Sequence, residues 1–142
     1  KMIEMLDNSP HDFILNATNS GRGSEIFVPK MRAYNIMDLK NALCDLFENT
    51  NVEITGIRPG EKLHEILINE DEIRYSWEHN NMYFITNPLY PLFHVNNIKD
   101  AYNGIKKLEN VKYYSSDKVE RIPKAELKEM IKKIIHDTNN KE

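Results

Sequence analysis

Apolar positions fall in short clusters separated by polar stretches, and the spacing inside each cluster predicts an element. Met2, Ile3, Met5 and Leu6 suit a helix tail that ends before Ser9-Pro10. Phe13-Ile14-Leu15 reads as a strand or a buried loop. Asn19 to Ser24 is a turn by composition, and Glu25 to Pro29 is a short strand stopped by proline. Asn35-Ile36-Met37-Asp38 has the form of a helix start with Asn35 as the cap. Ile36, Leu39, Leu43, Leu46 and Phe47 follow at helical spacing as its buried stripe, and Asn49-Thr50-Asn51 ends it. Val52, Ile54 and Ile57 start a second strand. Pro59-Gly60 marks a turn, and Lys62 to Ile68 reads as a short helix with Leu63, Ile66 and Leu67 inward. After a polar break at 69–72, Met82 to Thr86 is a third strand, which Pro88 and Pro91 cannot continue for want of a ladder donor. Ile98, Tyr102 and Ile105 suit a helix face with Gly104 as a soft spot, and Tyr113 to Asp117 reads as extended or loop-like. Pro123 suits a first helical position. Leu127, Met130, Ile131, Ile134 and Ile135 then form one stripe of a last helix, with a polar tail from His136 to Asn140.

The fold class is therefore α/β, or α+β in small pieces, with short strands separated by helices. No run of parallel strands is long enough for a complete dinucleotide-binding fold. A length of 142 residues is about one domain, long enough to bury roughly 68–70% of its unfolded surface. The chain opens at Lys1 inside a helix-like pattern, which is how a fragment reads.

Composition narrows the function classes. Hydrophobic content of 40%, charged content of 29% and a net charge of −3 are ordinary for a soluble protein. They call for neither nucleic acid nor a membrane as partner. No apolar run approaches the ~20 residues that span a bilayer. Cys44 stands alone, which excludes an internal disulfide and fits a reducing compartment, so the expected location is cytoplasmic.

The densest chemistry is Gly56-Ile57-Arg58-Pro59-Gly60-Glu61-Lys62-Leu63-His64-Glu65, placed where a strand is expected to end and a helix to begin. Ligands bind at such points in α/β sheets, and free N–H groups at a helix start suit an anion. Arg58 offers a planar fork of donors for a diphosphate, and Glu61 an acceptor for ribose hydroxyls. A turn with solvated charges accounts for the same residues equally well.

Other motifs carry less. His64-Glu65 lacks the second histidine of a zinc-protease motif, since position 68 is Ile, and no metal ligands are assigned. Gly21-Arg22-Gly23 precedes a strand instead of following one. Tyr102 and Lys106 have the spacing of a short-chain dehydrogenase pair, but no dinucleotide-binding unit precedes them. Tyr75, Trp77, Tyr83 and Phe84 suit core packing better than base stacking, and Lys124, Lys128, Lys132 and Lys133 suit a solvated face.

Taken in order, Gly23 to Lys30, Ile36 to Leu39 and Gly56 to Glu65 resemble the C-terminal third of UDP-N-acetylglucosamine 4,6-dehydratases. These are extended short-chain dehydrogenases/reductases that include capsular polysaccharide biosynthesis proteins. Tyr113 to Asp117, Glu120-Arg121-Ile122-Pro123 and the last helix are similar to the family's small C-terminal segment. The resemblance implies a nucleotide-sugar-binding part over 1–110 and a small segment with a terminal helix over 111–142. It implies NADP or NAD in an N-terminal Rossmann half that would lie upstream, and a UDP-sugar between the halves. In the family, hydride leaves C4 of the sugar, water is lost across C5 and C6, and hydride returns to C6. Carried over, Arg58 holds the UDP diphosphate and Glu61 the uridine ribose. The catalytic residues are expected upstream, so none is assigned to this chain. A UDP-sugar 4-epimerase and a non-catalytic binding or assembly module, including a homo-oligomer, remain alternatives.

Overall fold

The computed structural model describes residues 3–5, 10–48, 50–89 and 97–139. Its strands are β1 (Ile3–Met5), β2 (Ile26–Pro29), β3 (Met31–Ala33), β4 (Ile66–Ile68), β5 (Ser76–His79), β6 (Met82–Ile85), β7 (Lys106–Lys107) and β8 (Tyr114–Ser115). Its helices are α1 (Pro10–Ser20), α2 (Ile36–Leu46), α3 (Ile98–Ala101) and α4 (Lys124–Asn139). The class is the expected one, helices with small sheets. All strand pairs among the described residues are antiparallel, apart from one isolated parallel bridge between Ala33 and Arg121.

The largest sheet has the order β2-β6-β5-β7. Its centre is a hairpin whose turn residues, Asn80 and Asn81, both have positive φ. That backbone matches the right-handed twist of the flanking strands, and Asn tolerates it. Alternation along β6 sends Phe84 to one face, where it meets Phe27 and Tyr102 at ring centroid distances of 6.0 and 4.9 Å. Val28 and Ile85 point to the other face and join Ile68 and Tyr114 in the core cluster. Two smaller ribbons, β1-β3 and β4-β8, complete the strands.

β8 is tied in by more than its pairing. The Tyr114 hydroxyl accepts from the Met31 N–H at 2.7 Å, and its ring meets Tyr83 edge-on at 4.9 Å. Helices α2 and α4 pack together. Ala42 and Leu127 are buried there, and Lys124 reaches Asp45 at 2.9 Å.

Several expectations are corrected. Residues 3–5 form a strand paired with β3, not a helix tail. Pro10 opens α1 with Asp12 in its first turn, so the proline marks a helix start, and Phe13-Ile14-Leu15 is helical, not a strand or loop. Ile36 and Phe47 lie exposed at the two ends of the α2 stripe, and Ala42 takes the buried position. Val52, Ile54 and Ile57 form no strand and are exposed, because no described strand runs beside them. The region from Lys62 to Ile68 is not a helix. Its last three residues pair with β8, which buries Ile68 and leaves Leu63 and Ile66 exposed. Ile134 of the α4 stripe is exposed as well. Met2, Leu6, Ser9, Asn49, Pro91 and Asn140 lie outside the described residues.

Candidate functional site

Arg58-Pro59-Gly60-Glu61 folds as a tight turn. The Glu61 N–H donates to the Arg58 carbonyl at 3.0 Å, and Gly60 has φ +85°. Proline at the second position and glycine at the third are the residues a type II turn demands. The Glu61 carboxylate accepts from the Arg58 N–H at 3.1 Å, which closes the turn from its side-chain side. Both side chains are exposed.

Glu61 lines a cleft of about 420 Å³. Three stretches distant in sequence meet around it. Ala33 to Ile36 come from the end of β3 and the start of α2, Gly56, Ile57, Glu61, Leu63 and His64 from the turn region, and Ser116 and Arg121 from the segment before α4. Asn35 caps α2 as expected, its side chain accepting from the Met37 N–H at 2.8 Å. Backbone bonds hold the rim together. Ser116 N–H donates to the Glu65 carbonyl at 2.9 Å, and the Ser116 hydroxyl accepts from the Glu65 N–H at 3.0 Å. Ile122 N–H donates to the Ala33 carbonyl at 2.8 Å. Beside Ser116, the Ser115 hydroxyl donates to Asp117 and holds that carboxyl below its ordinary value.

The structure thus places Glu61 in the cleft wall, whereas Arg58, on the same turn, is not among the lining residues. Arg58 has no ion-pair partner among the described residues. Sequence reasoning missed Tyr34 and Arg121 as lining residues. Nothing in the local sequence marks either one, because what brings them to the cleft is pairing between β3 and the segment before α4.

The remaining candidates resolve as structure. Tyr102 is 4% exposed, packed on Phe84, with the Arg22 guanidinium 5.4 Å above its ring. Burial, and then the Glu25 carboxylate, push its hydroxyl well above the ordinary tyrosine value. A tyrosine that exchanges protons with substrate at neutral pH needs the opposite shift. Trp77 carries the Lys107 ammonium 4.5 Å over its ring. No three His, Cys, Asp or Glu side chains among the described residues gather as a metal site would require. No described helix is long and apolar enough to cross a membrane.

A dinucleotide does not fit the described residues. Such a cofactor needs a glycine turn leading from a strand into a helix, whereas Gly21 and Gly23 lead from α1 into β2.

The polysaccharide biosynthesis protein family matches residues 5–87. A UDP-N-acetylglucosamine 4,6-dehydratase (inverting) of Campylobacter jejuni subsp. jejuni serotype O:2 is 42% identical over 74 residues, covering 52% of this chain and 21% of that protein. A UDP-glucose 4-epimerase of Rickettsia massiliae is 31% identical over 121 residues, covering 84% of this chain and 35% of that protein. Among solved structures, that of Pen from Bacillus thuringiensis superposes with a TM-score of 0.66 at 29% identity, covering 82% of this chain and 33% of the other. The chain therefore spans about a third or less of each of these proteins.

Proposed function

Because the chain belongs to the polysaccharide biosynthesis protein family, we propose that it is the UDP-sugar-binding portion of a 4,6-dehydratase of the UDP-N-acetylglucosamine type. The observation that carries this reading is the Arg58–Glu61 turn set at a cleft, in a chain similar to a dehydratase of that name.

The role of this chain's own residues is to bind and orient. Glu61, in the cleft wall, accepts hydrogen bonds from the ribose, and Arg58 reaches the diphosphate from the rim. A charge-assisted contact of this kind contributes enough that Arg58→Gln weakens UDP binding by about tenfold or more. Calorimetric titration with UDP measures this, and an unchanged affinity removes Arg58 from the site. Residues 1–110 carry the nucleotide-sugar-binding part, and 111–142 the small segment that closes the cleft. NADP or NAD and the acid/base residues belong to a dinucleotide-binding half outside the described residues, in keeping with the greater length of the relatives. The lone Cys44 and an ordinary charge balance suit the cytoplasm.

A second reading, a UDP-sugar 4-epimerase, is favoured by one observation: the epimerase relative matches 84% of this chain against 52% for the dehydratase. Both enzymes hold the same UDP group, so the cleft serves either.

The deciding experiment supplies the dinucleotide-binding half together with this chain, adds UDP-N-acetylglucosamine and follows the product by mass spectrometry. A product lighter by one water is the expected result. Unchanged mass with altered chromatographic mobility establishes the epimerase instead. Neither product across several UDP-sugars, with cofactor bound, overturns both readings and leaves a binding or assembly module. Size-exclusion chromatography would then look for a homo-oligomer.

A further inference from the structure

Arg121 sits on the segment leading into α4, where its position is set by backbone pairing. It forms the parallel bridge with Ala33, and its neighbours bond to the same residue. Ala33 N–H donates to the Glu120 carbonyl at 3.0 Å, and Ile122 N–H donates to the Ala33 carbonyl at 2.8 Å. Ile122 and Leu127, 1% and 4% exposed, anchor the segment beyond it. The arginine is therefore held at the cleft by main-chain bonds, and its guanidinium has no carboxylate or ring partner among the described residues.

The other arginines show how unusual that is here. Arg32 is engaged by Glu126, Arg74 pairs with Asp71 at 2.8 Å, and Arg22 lies over the Tyr102 ring. Arg58 and Arg121 alone have no carboxylate or ring partner among the described residues. One stands on the turn that contributes Glu61 to the cleft, and the other lines the cleft itself. The cleft's one lining carboxylate, Glu61, already accepts from the Arg58 backbone N–H. Ala33, Ile36, Ile57 and Leu63 supply the apolar part of its wall.

We infer that Arg121 is a second cationic contact for the diphosphate of the bound nucleotide sugar, supplied from the segment before α4. This rests on the cleft being the UDP-sugar site. Two guanidinium groups from separate segments match a group that carries two phosphates, and each accepts a planar fork of donors.

The test titrates the intact protein and its Arg121→Gln, Arg121→Lys and Arg58→Gln variants with UDP and, separately, with uridine. The expected result is a loss of about tenfold in UDP affinity for Arg121→Gln, partial recovery in Arg121→Lys, unchanged uridine binding and an unchanged thermal midpoint. UDP affinity that is untouched in Arg121→Gln but lowered in Arg58→Gln overturns the inference and leaves the site reading standing. Equal loss for UDP and uridine with a lowered thermal midpoint also overturns it, since Arg121 then acts only through the bridge to Ala33. Failure of the unaltered protein to bind UDP overturns the inference and the site reading together.

Discussion

At the scale of single residues, Gly60 shows how a backbone angle becomes chemistry. Its φ of +85° is open to glycine and strained for any residue with a Cβ, although a Cβ there would meet nothing within 4 Å. The cost of substitution is therefore conformational and local. Gly60→Ala is expected to lower UDP affinity severalfold by shifting Glu61, while the thermal midpoint moves little, because the turn is exposed. Calorimetry and a melting curve on the same sample separate the two effects. This position was legible in the sequence, since Pro59-Gly60 names its own turn type. Arg121 was not, because an arginine before a helix looks the same whether it faces solvent or a cleft.

Elements were legible where local chemistry decides them and misread where a distant partner does. Asn35 capped α2 as its sequence said it would. The stretch from Lys62 to Ile68 had helical spacing, yet its last three residues form β4, because pairing with β8 ties down their backbone and buries Ile68. No spacing rule contains that partner. The α2–α4 contact invites a pH test. Lys124, hydrogen-bonded to Asp45, holds the Asp45 carboxyl below its ordinary value of 3.8, with Lys128 adding to it. A depressed folded value contributes stability that is present above the unfolded pKa and lost as pH falls through the folded one. Asp45→Asn is accordingly expected to melt somewhat lower than the unaltered protein at neutral pH, with the gap closing as pH falls below the ordinary aspartate range. A gap that persists in acid would mean that the side chain matters through packing and not through charge.

Across the whole molecule, the segment before α4 holds together parts that sequence order keeps apart. Tyr114 is its firmest attachment, buried on the core cluster with its hydroxyl on the Met31 N–H. Tyr114→Phe leaves that N–H without its partner and is expected to cost about 1–3 kcal/mol of stability, read as a lower urea midpoint. UDP affinity measured well below that midpoint should change little, because the cleft residues stay in place. The fold class was readable from short clusters alone, and the cleft was not, since its walls are assembled by long-range pairing. That assembly has a consequence for how the protein is made. Chains leave the ribosome N-terminus first, so β3 and the Arg58 turn emerge well before Ile122 can bond to Ala33. A nascent chain, or one cut short before Arg121, lacks the bonds that complete the cleft wall, and on the function proposed above it is expected to bind UDP more weakly than the unaltered protein.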